Sequence, residues 1–261
     1  MSRSLADTRG WRPRWQELVK NVVRVHTARG EELLLDTLAT PTQSRVLAFV
    51  NAHAMNSAAS SPDFFDAVMA ADLVLRDGAG MAILMRLLHQ LPGLNLNGTD
   101  LIPKILQRYA GKRIALFGTQ EPYLEAARSA VATRLAPGSN CISANGFLDA
   151  AAYVQLASEH RPNVIVLGMG MPRQEEMAAV LRSALGYPCL IICGGAIIDF
   201  LGGKTSRAPA WMRAFGLEWA YRLALEPKRL FRRYVLGNPL FIARALRLAA
   251  SSPRIDRGTA T

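Results

Sequence analysis

Short, densely apolar runs alternate along the chain with longer stretches of helical spacing. The β-rich runs at Arg45–Val50, 73–75, Arg113–Gly118, 141–144, 163–168 and 189–193 predict strands. Apolar residues with helical spacing at 31–38, 81–88, 122–135, Ala150–His160 and 173–185 predict the segments around and between them. Ser61, Pro62 and Asp63 open a further helix with a cap and a proline in its first turn, and Phe64, Phe65, Val68 and Met69 supply its apolar face. Asn97, Gly98, Thr99 and Asp100 begin another, with Thr99 or Asp100 as its cap. Strands that alternate with helices of this length imply a parallel sheet covered on both faces. The expected fold class is α/β, a Rossmann-like parallel sheet flanked by helices, with the loop after each strand on one common edge.

The rhythm breaks at both ends. Residues 1–20 place Arg3, Arg9, Arg12 and Arg14 among Ser, Gly and Pro, which predicts a loosely ordered basic lead-in before a strand at 22–25. Beyond Gly203, basic residues interleave with Trp211, Phe215, Trp219, Tyr221, Phe231, Tyr234, Leu240 and Phe241, and Pro227 splits the segment into two helices. The expected organisation is a lead-in at 1–20, an α/β core at 21–203 in two lobes of about 21–110 and 111–203, and a C-terminal helical appendage at 204–261.

Charge sharpens this division. The formal charge is +11, yet residues 204–261 hold 12 Lys and Arg against 3 acidic residues and residues 1–30 hold 7 against 2, so the middle is about neutral. A basic end suits nucleic acid, a membrane surface or a phosphorylated small molecule. No apolar run approaches the roughly 18 residues of a spanning helix, and charge alternates with Trp11 and Trp15 at the start, so a cytoplasmic chain without a signal peptide is expected. Cys141, Cys189 and Cys193 form no C-x-x-C pair and read as buried reduced thiols.

Candidate chemistry gathers after the strands. Asp77 follows the run 73–75, with Gly78 and Gly80 beside it, and stands where open α/β sheets bind ligands. It is either a site carboxylate or a turn residue capping a helix. Asn51 and Asn56 pose the same choice after the strand Arg45–Val50. Gly118, Gly168, Gly170, Gly195 and Asp199 follow the later strands as candidate nucleotide-binding positions. The turn at Gly168 and Gly170 has Arg173 where a dinucleotide fingerprint needs its third glycine, so NAD binding is weakly supported. Asp-x-Asp is absent, and no metal site is expected.

Seven segments occur in one order: DLVLRDGAG at 72–80, NGTDL at 97–101, GMPRQE at 170–175, GGAIIDF at 194–200, RAPAW at 207–211, GLEWAYR at 216–222 and EPKRLFRR at 226–233. Together they resemble the WecG/TagA/CpsF family of glycosyltransferases, over about 51–241. The resemblance implies transfer of a sugar, with inversion, from a UDP-sugar to a polyprenyl-diphosphate-linked sugar at the cytoplasmic face of the membrane, during synthesis of cell-surface polymers. It implies Asp77 as general base, Asn51 and Gln174 as substrate contacts, and Arg222, Arg229 and Arg232 as holders of the acceptor diphosphate. Phe49 and Asn95 depart from the threonine and arginine of many members, which leaves a hexose as open as an N-acetylhexosamine donor.

Inverting transfer needs one base and something to stabilise the departing diphosphate, which helix N-termini and arginines can do without a metal or other cofactor. Basic charge mixed with aromatics suits a helix lying on an anionic membrane surface, and the same surface could serve a homo-oligomer. Deleting residues from about 204 onward is then expected to leave a folded, nucleotide-binding core that transfers little sugar. Two rival readings stand beside this one, a nucleotide-dependent oxidoreductase on a Rossmann-like sheet and a non-catalytic nucleic-acid-binding protein. Neither a helix-turn-helix nor a zinc pattern supports the latter, so no nucleic-acid partner is expected.

Overall fold

The computed structural model describes residues 10–251. Its elements run α1 (Trp11–Asn21), β1 (Val22–Val23), α2 (Ala28–Ala39), β2 (Arg45–Val50), α3 (Ala52–Ser60), α4 (Pro62–Met69), β3 (Leu73–Arg76), α5 (Gly78–Leu87) and α6 (Gly98–Gln107). The second half continues β4 (Arg113–Gly118), α7 (Tyr123–Ala130), β5 (Asn140–Ala144), α8 (Ala150–His160), β6 (Val164–Gly168), α9 (Arg173–Ala184), β7 (Leu190–Cys193) and α10 (Ile197–Leu201). Four more helices follow: α11 (Ala210–Ala214), α12 (Glu218–Leu225), α13 (Pro227–Phe231) and α14 (Gly237–Ser251).

All seven strands are parallel, in the order β1-β3-β2-β7-β6-β4-β5. Successive side chains of a strand point to opposite faces, and nearly every strand position here is apolar, as a sheet covered on both sides requires. Ala48, Val50, Ala115, Phe117, Ile165 and Ile191 meet one layer of helices, which includes α1, α3 and α9. Leu47, Phe49, Leu116, Val166 and Ile192 meet the other, with α2, α6 and α7. The two lobes expected at 21–110 and 111–203 are halves of one sheet, because β2 pairs with β7 through Arg45–Leu190, Val46–Ile191 and Leu47–Ile192. The three cysteines are buried and unpaired.

Both ends differ from the sequence expectation. Within the described part of the lead-in, residues 11–21 form α1, and Trp15 and Leu18 are fully buried. Trp15 donates from Nε1 to the Met55 carbonyl at 2.7 Å, and its ring packs on Phe241 with centroids 5.3 Å apart. Arg3 and Arg9 lie outside the described residues.

Helix α14 is likewise part of the core, with Phe241, Ala245 and Leu248 buried against α1, α3 and α5 at helical spacing. Asn56 ties it down, donating from Nδ2 to the Gly237 carbonyl at 2.7 Å and accepting at Oδ1 from Arg244 Nη1 at 2.9 Å. Deletion from residue 204 would therefore strip the cover from Trp15 and Met55, so the expectation of an intact core after such a deletion is revised. A milder change tests the same packing. Phe241→Leu is expected to cost about 1 kcal/mol, read as a lower urea midpoint at unchanged slope.

Candidate functional site

Adjacent strands β2 and β3 deliver Asn51 and Asp77 side by side. The Asp77 backbone N–H donates to the Val50 carbonyl at 2.8 Å, which fixes the two strand ends together. Asn51 then does two jobs: its Oδ1 accepts from the His53 and Ala54 N–H groups at 3.0 and 3.1 Å, capping α3, while its Nδ2 donates to Asp77 Oδ2 at 3.2 Å. Asp77 precedes α5 in extended conformation and makes no capping bond with its side chain. Its carboxylate is thus oriented but not consumed.

Beneath it, buried Arg76 holds the following loop. Its Nε and Nη2 donate to the Pro92 and Gly93 carbonyls, each at 2.8 Å. Asn95 Oδ1 accepts from the Gly78 N–H at 3.0 Å, where φ is +83° and glycine is favoured. The cap of α6 is Asn97, whose Oδ1 accepts from the Asp100 N–H at 3.0 Å, not Thr99 or Asp100 as expected.

Asp77 stands on the wall between two cavities. One, of about 330 Å³, opens over the carboxyl ends of the second-half strands and is lined by Gly168, Gly170, Gln174, Gly195, Asp199 and Arg229 among others. The other, of about 390 Å³, lies between α3, α5 and the C-terminal helices and includes His53, Asn95, Glu218, Trp219 and Tyr234. Asn51, Asp77, Thr99, Arg222 and Arg233 line both.

Most of the predicted residues therefore converge, but three need comment. Gly118 is not on either wall; a Cβ there would lie 2.5 Å from the Gly168 carbonyl oxygen, so its glycine serves the close pairing of β4 with β6. Gln174 is almost fully buried and spans two loops, accepting at Oε1 from the Gly195 N–H at 2.9 Å and donating from Nε2 to Glu175 Oε1 at 2.8 Å. Burial pushes the Glu175 carboxyl up to about 7, against the opposing pull of the Gln174 hydrogen bond. Arg232 is exposed and lines neither cavity, whereas Arg233, its neighbour, lines both.

Sequence reasoning missed Thr119, Lys204 and Glu218. Thr119 Oγ1 donates to Asp199 Oδ1, and Lys204 Nζ reaches the same oxygen at 3.2 Å. No local pattern marks that trio, because 85 positions separate Thr119 from Lys204.

The electrostatics identify the class of ligand. Among the described residues, Arg222 and Arg233 have no hydrogen-bond or ion-pair partner, and the Nε of each is buried without an acceptor. Burial draws the Arg233 guanidinium below its ordinary range, with Arg222 and Arg229 acting in the same direction. Both are partly buried, Arg222 over the Phe200 ring at 5.6 Å and Arg233 over the Tyr234 ring at 5.4 Å, and neither is matched by a carboxylate, so the pair suits an anion. Arg229 is already engaged by Glu226, with Nη2 2.8 Å from Oε1. His53, at the floor of the second cavity, is lowered to about 4 by burial and then by Arg233, and so is neutral at physiological pH. The described residues contain no cluster of three His, Cys, Asp or Glu fit to hold a metal ion, and no helix among them is long and apolar enough to cross a membrane.

Comparison with known proteins gives the family. The model of the glycosyl transferase WecG/TagA/CpsF family matches residues 20–254. An N-acetylglucosaminyldiphosphoundecaprenol N-acetyl-beta-D-mannosaminyltransferase of Bacillus subtilis is 26% identical over 187 residues, covering 70% of this chain and 73% of its own. The enzyme of the same name from Staphylococcus aureus is 27% identical over 208 residues, covering 77% and 79%. Both relatives are named as mannosaminyltransferases, in line with a glycosyltransferase and with neither rival reading.

Proposed function

The chain belongs to the WecG/TagA/CpsF family of glycosyltransferases, and from that premise we propose that it moves a hexose or N-acetylhexosamine from a UDP-sugar to a polyprenyl-diphosphate-linked sugar, with inversion. The observation that carries this reading is Asp77 on the wall shared by two cavities, with two unpaired arginines beside it. The donor occupies the cavity over the glycine loops, where the positive end of α9 and Arg173 favour its diphosphate. The acceptor sugar enters the second cavity. Asp77 takes the proton of its hydroxyl as that oxygen attacks the anomeric carbon, and the bond to UDP breaks on the opposite side. Asn51 holds the carboxylate in place, and Arg222 and Arg233 neutralise diphosphate at the junction.

The relatives carry an N-acetylmannosaminyl group in their names. At the donor cavity this chain has Phe49, a bulky apolar side chain, so the sugar is left to experiment. Trp211, Phe215, Phe231 and Leu236 are at least half exposed on the C-terminal helices. Together with the basic residues of 204–247 they support docking on the inner face of the cell membrane, where the polyprenyl chain resides.

The test is a panel of UDP-sugars offered with a short-chain diphosphate-linked N-acetylglucosamine, with and without EDTA. One donor should be consumed, at a rate the chelator leaves unchanged. Consumption of none would overturn the reading, and loss of rate in EDTA would overturn its metal independence.

A further inference from the structure

The second cavity contains a carboxylate that the reaction as described does not use. Glu218 opens α12 and lines this cavity but not the first. Its side chain caps nothing, and among the described residues it has neither a hydrogen bond nor an ion pair. The nearby guanidiniums do not claim it. Arg207 and Arg213 turn to Asp100, the latter at 3.8 Å, and Arg222, which lines both cavities, makes no ion pair with Glu218. Burial raises the Glu218 carboxyl, and the charges of Asp77 and Asp100 raise it further, against Arg207 and Arg222. A half-buried carboxylate with no protein partner is free to accept from a ligand hydroxyl.

The surroundings specify that donor. Trp219 and Tyr234 line the same cavity, their ring centroids 6.0 Å apart and their planes tilted by 59°, and since Arg233 lies over the buried Tyr234 ring it is exposed Trp219 that offers a free face. Aromatic faces offer apolar surface to the C–H face of a pyranose, while a carboxylate accepts from its hydroxyls. Neutral His53 and Asn95 add polar atoms across the cavity without adding charge. A diphosphate would be repelled by Glu218, but a sugar ring would not.

We propose that Glu218 is an acceptor-recognising residue, which accepts a hydrogen bond from a hydroxyl of the acceptor sugar other than the attacking one and so sets the register of the ring against Asp77. This rests on the function proposed above, since it needs the acceptor in the second cavity. It assigns selection of the acceptor sugar to the C-terminal segment, beside that segment's basic residues.

The experiment uses the full chain, the consumed UDP-sugar, and short-chain diphosphate-linked N-acetylglucosamine together with its monodeoxy analogues. Glu218→Gln should raise the acceptor KM about ten- to hundredfold while the donor KM stays put, as expected for loss of a charge-assisted hydrogen bond. For the wild-type chain, one deoxy analogue should carry a similar penalty, and the variant should no longer distinguish that analogue from the parent sugar. Glu218→Ala serves as a second variant, and thermal melts of both confirm folding. A folded variant with unchanged acceptor KM, or one that loses equally on every analogue and on the donor, overturns the proposal. Wild-type chain that transfers to none of these acceptors overturns the underlying function instead, and this inference with it.

Discussion

Asp77→Asn should lower kcat about 10²- to 10⁴-fold, the range supplied by a positioned general base, while the protein stays folded. The amide has the same shape as the carboxylate and can still accept from Asn51 Nδ2, so the geometry around it survives. It cannot take the proton of the attacking hydroxyl. Because the Asp77 side chain caps no helix, its replacement should change stability by no more than about 0.5 kcal/mol. Turnover measured as UDP release, beside a thermal melt, separates these effects. Near-normal turnover by a folded variant would remove the base from Asp77. Asn51→Ala is the contrasting case, since Asn51 both orients Asp77 and caps α3. It should lose stability and rate together.

That contrast shows what the sequence could and could not express. The strands were legible because parallel strands are buried on both faces and therefore appear as uninterrupted apolar runs. Arg45–Val50 and Arg113–Gly118 have the expected bounds. Helices after residue 204 were expected and are present, but the docking of α1 and α14 into the core was not legible, because each buries only a few residues against a distant partner. Trp15 meets Phe241 across the whole chain, and neither residue announces the other. Arginine and proline around Trp15 suggested an unstructured lead-in, although Trp11, Trp15, Leu18 and Val19 have helical spacing.

At the site, the residues were legible but their duties were not. Asn51 looked like either a cap or a site residue, and it is placed to be both. Gln174 looked like a substrate contact, yet its amide is spent on Gly195 and Glu175, so it stiffens the loops that form the donor cavity. Thr99 looked like a cap. Asn97 does that work, which leaves Thr99 on the wall of both cavities. A side chain's type limits what it can bond to, but only the fold decides which bonds remain unfilled.

The same principle governs Arg233. A largely buried guanidinium with a ring but no anion beside it costs folding free energy until an anion arrives, so its removal should affect stability and activity in opposite directions. Arg233→Met keeps the apolar stem and removes the charge. It should hold or raise the melting temperature, because Arg233 Nε is itself without an acceptor and its removal strands none. Its kcat/KM for the lipid-linked acceptor should fall about 10²- to 10³-fold, consistent with the roughly 2–5 kcal/mol lost when one member of a buried charge pair is truncated. Arg232→Met, one position away, provides the control. Its side chain is exposed and touches neither cavity, so transfer should stay within about threefold of wild type, the weight of an exposed charge. If Arg232→Met instead abolishes transfer while Arg233→Met is active, the diphosphate lies outside the junction at Asp77, and the attacking hydroxyl cannot be delivered as described.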